Sequence, residues 1–311
     1  MPIAHRFRRT ALLVCLAVST AAPRAAGPRD ALTTTPASLE QHLQDPDLVV
    51  LQIGLRATYD AGHIPGARFI DFETPGGFVG FAAPRDATPL NLELPTPAAL
   101  HEKLVALGIT DRSHIVVAYS DEYYSPSTRL IFTLDYAGFG ERTTLLDGGL
   151  TAWKKAGHPV TTTLPTITRG TLSPLKTKSL VVDATFVQTT ARTAGYALVD
   201  GRAPGAYAGV PPQNGRGGAS NPVGHIPGAV NVPFGEAFNE REELRSPEEL
   251  EQLFTKAGVK PGDTVVGYCW VGQQATAMLF AARTLGHPVK LYDGSIDDWT
   301  TRKLPLDVVK K

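Results

Sequence analysis

The block Gly62-His63-Ile64-Pro65-Gly66-Ala67 occurs a second time as Gly224-His225-Ile226-Pro227-Gly228-Ala229. A second motif follows each block: Leu146-Asp147-Gly148-Gly149 in the first half of the chain and Tyr292-Asp293-Gly294-Ser295 in the second, each with a tryptophan four residues further on. Two motifs that recur in the same order at a large spacing indicate an internal repeat. The chain is therefore expected to contain two copies of one fold.

The spacing between the two copies changes along the chain. The two aspartates are 146 residues apart, as are Arg56 and Arg202, whereas the two histidines are 162 residues apart. The difference predicts a 16-residue insertion in the second copy, between Arg202 and His225.

Each copy also alternates between strand-like and helix-like segments. Short apolar runs predict strands, and longer segments that end at a glycine predict helices. This alternation is typical of an α/β fold, with a mainly parallel sheet flanked by helices in each copy. The predicted strands are 48–53, 115–119, 196–199 and 265–268, and the predicted helices are 100–107 and 250–257.

The first 27 residues have the pattern of a secretion signal. Three arginines precede an apolar stretch, 11–22, that is too short to span a bilayer. Cleavage between Ala22 and Pro28 would place the mature protein in the periplasm or outside the cell. A lipid anchor on Cys15 is the alternative, although Val14 stands where lipidated cysteines normally follow a small residue.

After this signal we expect a first domain at 28–162, a linker rich in Thr and Pro at 163–178, and a second domain at 179–311. The 30 basic and 30 acidic side chains give a formal net charge of zero, and no basic cluster lies beyond the N-terminus. That balance excludes nucleic acid as an expected partner, and a membrane as well once the signal is cleaved.

Removal of the signal leaves Cys269 as the single cysteine of the mature chain. It stands between an apolar strand and a helix, where parallel α/β sheets place their ligand sites. Backbone N–H groups at the start of that helix would favour a thiolate, and Gly272 would permit the tight turn. An unpaired cysteine in an oxidising compartment is therefore a candidate nucleophile.

Together these motifs resemble the rhodanese sulfurtransferase family in its tandem two-domain form. The resemblance implies a catalytic second domain and an inactive first domain in which Tyr119 or Ser120 stands in place of the cysteine. It also implies that Arg202 binds the substrate anion, with a structural ion pair to Asp200 as the alternative. Arg56, its expected counterpart in the first copy, is interpreted as structural.

The activity implied by this resemblance is transfer of sulfane sulfur from thiosulfate or a related small donor to cyanide or a thiol acceptor. A persulfide on Cys269 would be the intermediate, and neither a metal nor an organic cofactor is required. Loop residues Trp270, Val271, Gly272, Gln273 and Gln274 are the expected substrate contacts.

The donor stays open because the cysteine loop differs from both loops of the family. Thiosulfate-type loops resemble Cys-Arg-Lys-Gly-Val-Thr and mercaptopyruvate-type loops resemble Cys-Gly-(Ser/Ala)-Gly-Val-Thr. Arg216 in the insertion would replace a missing loop cation if the insertion folds over the site; otherwise it is a solvated loop charge. A 3-mercaptopyruvate sulfurtransferase, or a carrier that delivers sulfur to an accepting protein without turnover, are the alternatives.

Other residues of the motifs have simpler interpretations. His63 and His225 recur in both copies, so we expect them to stabilise a turn instead of acting as bases, and the two motif aspartates have the same status. Trp270 either contacts an acceptor or packs against the first domain. A phosphatase of the Cys-x5-Arg type is excluded because Ala275 occupies the arginine position. Core or interface positions are expected for Trp153 and Trp299.

Overall fold

A computed structural model describes residues 27–71, 90, 92–210 and 223–309. The predicted signal up to residue 26 and Arg216 lie outside these residues, as does Cys15. Within the described ranges, no helix is both long enough and apolar enough to cross a membrane.

Two five-stranded sheets form the framework, one in each copy, and every strand pairing in them is parallel. The strands are β1 (Thr33–Thr34), β2 (Leu48–Gly54), β3 (Arg68–Asp71), β4 (His114–Tyr119), β5 (Thr143–Leu146), β6 (Val181–Val182), β7 (Tyr196–Asp200), β8 (Val230–Asn231), β9 (Thr264–Tyr268) and β10 (Val289–Tyr292). The first sheet has the order β1-β5-β4-β2-β3 and the second the matching order β6-β10-β9-β7-β8. The α/β fold in two copies, predicted from the sequence, is thereby confirmed.

Helices flank both sheets. They are α1 (Pro28–Leu32), α2 (Pro36–His42), α3 (Arg56–Ala61), α4 (Pro97–Ala106), α5 (Tyr124–Tyr136), α6 (Gly149–Lys155), α7 (Ala184–Thr189), α8 (Pro204–Ala208), α9 (Pro247–Ala257), α10 (Ala275–Thr284) and α11 (Ser295–Thr301). Helices α4 and α9 begin three residues before the predicted segments, because a capping residue followed by a proline starts each one. Thr96 caps α4, and Ser246 forms a capping box with Glu249 in α9.

One hydrophobic core runs through both copies. Buried side chains of α5, such as Leu130, and of α10, such as Phe280, belong to the same cluster, which also includes Cys269. Two smaller clusters are each confined to one copy; Trp153 belongs to the first and Trp299 to the second. The copies therefore share apolar surface at the α5–α10 contact, and the candidate nucleophile is part of that shared core.

Strand register aligns the two copies residue by residue. Val117 pairs with Leu145 in the first sheet, and Gly267 pairs with Leu291 in the second. Since Leu145 and Leu291 stand two residues before the motif aspartates, Val117 and Gly267 are equivalent. Two residues further along, Tyr119 therefore occupies the position of Cys269, which resolves the alternative of Tyr119 or Ser120.

The same register corrects the predicted counterpart of Arg202. Val117 pairs with Leu51, and Gly267 pairs with Val199, so Gly54, three residues beyond Leu51, is equivalent to Arg202. Arg56 instead opens α3, exposed to solvent, and is paired with Asp60 at 2.8 Å. The insertion between these strands and the histidines is accordingly 14 residues instead of the predicted 16. The equal spacing of the two arginines in the sequence is a coincidence.

Candidate active site

Cys269 directly follows β9 and is fully buried. Its backbone is held from both sides by the turn that opens α11. The Cys269 N–H donates to Ser295 Oγ at 3.1 Å, and the Cys269 carbonyl accepts from Ile296 N at 3.2 Å. Ser295 Oγ in turn donates to the Tyr292 carbonyl at 2.9 Å. The main chain of the nucleophile is therefore fixed before its sulfur makes any contact.

Backbone amides converge on the Cys269 sulfur. The N–H groups of Val271, Gly272, Gln274 and Ala275 hydrogen-bond to it, as a loop curling into the N-terminus of α10 allows. Burial raises the pKa of the Cys269 thiol, while these four hydrogen bonds act to lower its pKa. From the sequence, the backbone amides alone are expected to favour the thiolate and so to lower the pKa. The raised pKa differs because burial of the sulfur outweighs the amides.

Gly272 is the position where the loop needs glycine. Its φ is +79°, and a Cβ there would lie 2.5 Å from Asp293 Oδ1 and 2.6 Å from the Asp293 carbonyl oxygen. A side chain would meet both a backbone penalty and a clash. The loop can approach Asp293 this closely only with glycine at this position.

Arg202 is fully buried beside the strand that precedes it, and its guanidinium pairs with Asp200 at 2.6 Å. It also donates to the Gly224 carbonyl at 2.5 Å. The predicted alternative, an ion pair with Asp200, is thus present in the structure. A role for Arg202 in binding a substrate anion stays a prediction, and any such anion would compete with the Asp200 carboxylate.

Trp270 covers this buried arginine. The Arg202 guanidinium carbon lies 4.6 Å from the centre of the Trp270 ring, a cation–π arrangement. Among the described residues, Trp270 packs with the apolar cluster of the second copy, and its contact with an acceptor or with the first domain stays a prediction. Val271, Gln273 and Gln274 are partly exposed.

The rear of the loop is held by Arg129, a residue of the first copy that sequence reasoning missed. Its Nη1 donates to Asp293 Oδ1 at 2.5 Å and to the Gly272 carbonyl at 3.2 Å, and its Nη2 donates to the Leu92 carbonyl at 2.5 Å. The Arg129 side chain is 1% exposed and the Asp293 side chain 5%. An arginine followed by Leu130-Ile131-Phe132 in a buried helix was the available signal, because a fully buried cation needs a partner.

Each copy's motif aspartate accepts a backbone amide from the other copy. Asp293 Oδ2 accepts from Leu94 N at 2.8 Å, and Asp147 Oδ1 accepts from Leu244 N at 2.7 Å. An arginine completes each contact, Arg129 on Asp293 and Arg29 on Asp147 at 3.0 Å. The two amide contacts thus join the copies in a pseudo-symmetric way, whereas both arginines come from the first copy.

Different contacts occupy the corresponding strand end of the first copy. Tyr119 fills the cysteine position, and its hydroxyl donates to the Glu242 carbonyl. Two residues beyond Tyr119, the Asp121 carboxylate accepts hydrogen bonds from Leu55 N at 3.1 Å and Thr58 Oγ1 at 2.8 Å. The Asp121 carboxylate therefore satisfies donors at the start of α3.

The histidines of the repeated block serve the turn, as predicted. His63 Nδ1 lies 2.9 Å from the Tyr59 carbonyl and its ring stacks on Tyr59 at 3.8 Å. His225 repeats both contacts with Tyr207, at 2.9 Å and 4.0 Å. Each copy thus uses a stacked Tyr–His pair to close the segment before its third strand.

A large cavity lies near Asp293, at the boundary between the copies. It has a volume of about 820 Å³ and opens between the copies, with Glu93 and Leu94 on one side and Tyr292, Asp293 and Arg302 on the other. Cys269 does not line it. We therefore place the candidate chemistry at the cysteine loop and not in this cavity.

Comparison with known proteins agrees with the site. The family description "Rhodanese-like domain" matches residues 35–156 and 184–302. Thiosulfate sulfurtransferase of Rattus norvegicus is 34% identical over 260 residues, covering 80% of this chain and 81% of the relative. A probable 3-mercaptopyruvate sulfurtransferase of Pseudomonas aeruginosa is also 34% identical, over 281 residues, covering 86% of this chain and 94% of the relative.

Solved structures share the fold at lower identity. EanB/Y353A in complex with ergothioneine superposes with a TM-score of 0.77 at 22% identity, over 93% of this chain and 72% of that one. YnjE superposes with a TM-score of 0.76 at 23% identity, over 91% of this chain and 70% of that one. The tandem family resemblance and the class of enzyme predicted from the sequence are confirmed by the family match and the named relatives. The chain belongs to the rhodanese-like family, as a tandem member with one cysteine-bearing copy.

Proposed function

We propose that this protein is a sulfurtransferase that moves sulfane sulfur from thiosulfate or a related donor to cyanide or a thiol, through a persulfide on Cys269. The observation that supports this most directly is the set of four backbone amides on one buried sulfur, in a chain whose relatives are named sulfurtransferases. Such a set of fixed donors stabilises negative charge on the thiolate and on the persulfide anion.

In the first step the Cys269 thiolate attacks the outer sulfur of thiosulfate. A new S–S bond forms between Cys269 and the outer sulfur as the S–S bond of thiosulfate breaks. The electron pair of the broken bond leaves with sulfite. The outer sulfur remains as a persulfide anion. Because burial raises the pKa of the Cys269 thiol, this step requires loss of the thiol proton before or during attack.

In the second step an acceptor removes the outer sulfur. Cyanide attacks it and leaves as thiocyanate, or a thiolate attacks it and leaves as a persulfide, and either route returns the Cys269 thiolate. No oxidant or reductant enters the cycle. A donor is consumed before an acceptor binds, so ping-pong kinetics are expected.

Two donor classes have equal support from the relatives, which include thiosulfate and 3-mercaptopyruvate sulfurtransferases at the same 34% identity. The loop side chains Trp270, Val271, Gln273 and Gln274 carry no charge. The charge of Arg202 is compensated by Asp200. This arrangement suits a donor whose negative charge is recognised mainly by backbone amides, with 3-mercaptopyruvate as the alternative to thiosulfate.

Intact-mass spectrometry tests the proposal. The purified protein is measured untreated and after incubation with thiosulfate or 3-mercaptopyruvate, beside Cys269→Ser as the control. One added sulfur on the wild type, absent from the variant and removed by cyanide with release of thiocyanate, is the expected result. Loading without release to small acceptors indicates the sulfur-carrier alternative, and no loading with either donor overturns the proposal.

We also propose that the protein is exported to the periplasm or outside the cell. The arginines followed by the apolar stretch 11–22 support this location. N-terminal sequencing of protein recovered from a periplasmic or culture fraction should give a start between Ala22 and Pro28. An uncleaved N-terminus in the cytoplasm would contradict it.

A further inference from the structure

We propose that Arg129, in the copy without a cysteine, is a positioning residue for the sulfur-binding loop of the other copy. This inference rests on the proposed function, because it assigns a role in persulfide formation on Cys269. The geometry behind it is a direct contact between the Arg129 guanidinium and the loop carbonyl at Gly272.

The contact is placed within the run of amides that binds the sulfur. Gly272 and Gln274 both donate their N–H groups to the Cys269 sulfur, and the peptide whose carbonyl Arg129 holds lies between these two donors. A peptide unit is planar, so fixing its carbonyl fixes the direction of the whole unit. Arg129 therefore holds one carbonyl of the loop outward while the flanking amides point to the sulfur.

Asp293 makes this contact rigid. Arg129 Nη1 is shared between Asp293 Oδ1 and the Gly272 carbonyl, and Nη2 is used by the Leu92 carbonyl. Asp293 is itself fixed by Leu94 N. The guanidinium, with its flat arrangement of donors, can serve these directions at once, whereas a lysine ammonium is a point charge on a flexible stem.

The same helix makes a second contact beside the loop. Thr128 Oγ1 lies 3.1 Å from Thr276 Oγ1, whose hydroxyl donates to the Gln273 carbonyl at 2.6 Å. α5 of the first copy thus contacts one loop carbonyl directly through Arg129 and lies beside Thr276, which holds the next one. The copy without a cysteine thus supplies a supporting surface for the loop of the other copy.

The experiment measures single-turnover sulfur loading of Cys269 at several thiosulfate concentrations, by rapid quench and intact mass. The variants are Arg129→Lys, which keeps the charge, and the double variant Arg129→Met/Asp293→Asn, which removes both buried charges together. Arg29→Met is the control because it breaks the ion pair of the other motif aspartate, Asp147, at 3.0 Å and lies outside the cysteine loop. Thermal denaturation of every variant is recorded alongside.

We expect the maximal loading rate to fall about 10- to 100-fold in the double variant, as for a reacting group displaced by about 1 Å. Arg129→Lys should have an intermediate rate, and Arg29→Met should load within twofold of the wild type. A loss of stability shared by Arg29→Met and the double variant, with the loading defect confined to the Arg129 variants, supports positioning. A merely structural role would change stability in both and leave the maximal loading rate of folded protein unchanged.

Loading of both Arg129 variants at the wild-type rate overturns the inference, and so does an equal loading defect in Arg29→Met. Failure of the wild type itself to load is a different result, since it overturns the proposed function. The two failures are thereby distinguishable in one set of measurements.

Discussion

Gly272→Ala is predicted to damage the loop in a way that a matched glycine substitution does not. Gly272 and Gly66 have nearly the same backbone conformation, with φ of +79° and +75°. A Cβ at Gly66 would have no atom within 4 Å, whereas a Cβ at Gly272 would lie 2.5 Å from Asp293 Oδ1 and 3.1 Å from Arg129 Nη1. The pair separates the cost of the backbone conformation from the cost of crowding.

The magnitudes follow from these distances. A left-handed conformation costs a non-glycine residue roughly 1–2 kcal/mol, which is the whole effect expected for Gly66→Ala. Gly272→Ala adds an overpacking cost of about 1–3 kcal/mol, so its free energy of unfolding should fall by roughly 2–5 kcal/mol. If the loop relieves the clash by moving, part of that cost appears instead as a slower reaction of Cys269.

Urea denaturation followed by circular dichroism gives the stability of each variant, and intact mass after thiosulfate gives its loading rate. We expect Gly272→Ala to lose at least 1 kcal/mol more stability than Gly66→Ala or to load at least 10-fold more slowly, a change that corresponds to about 1.4 kcal/mol. Equal stability losses in the two variants, together with wild-type loading in both, would refute the crowding argument.

Three further predictions concern the thiol, the buried ion pair and the shared core. Burial raises the pKa of the Cys269 thiol, so the thiolate forms only at higher pH. The rate of alkylation by iodoacetamide should therefore rise with a midpoint pH above about 8.5, the usual thiol value. A lower midpoint contradicts the burial argument. Asp200→Asn removes the negative charge that pairs with the buried Arg202 guanidinium at 2.6 Å. Chemical denaturation should then show a loss of about 3–5 kcal/mol, and a loss under 1 kcal/mol would mean that the pair is not needed. The fragment 179–311, expressed alone, exposes the apolar face that packs on α5 in the whole protein. It should therefore aggregate or bind a hydrophobic dye. A soluble fragment with a cooperative thermal transition would argue against a shared core.

Much of the fold was accessible from the sequence because each signal was local or repeated. The apolar runs that became β4 and β9 are short and continuous, as strands buried on both faces of a parallel sheet must be. The block that contains His63 recurs with the same tyrosine contact in both copies, so its structural role could be inferred from its presence in the copy without a cysteine. Cys269 stood out because no other thiol is expected in the mature chain.

The remaining features depend on contacts between distant parts of the chain. Arg129 and Asp293 are 164 residues apart, and no periodicity or motif relates them. The equivalence of Gly54 with Arg202 depends on strand register, which spacing alone misassigned because Arg56 happened to lie at the same offset as Asp147. Burial of the Cys269 sulfur, which reverses the expected direction of its pKa, is likewise a property of the packed structure.

The reciprocal aspartate contacts have a consequence for synthesis of the chain. Asp147 depends on an amide 97 residues further along, at Leu244, so the first copy leaves the ribosome with one edge incomplete. At about 5–20 residues per second, that edge waits roughly 5–20 s for the segment that closes it. During this interval the Asp147 carboxylate lacks its partner amide, and its contacts are limited to groups already made, such as Arg29 at 3.0 Å. The first copy therefore completes its hydrogen bonding only after Leu244 has been translated, whereas the amide that the second copy needs, at Leu94, has been made before Asp293.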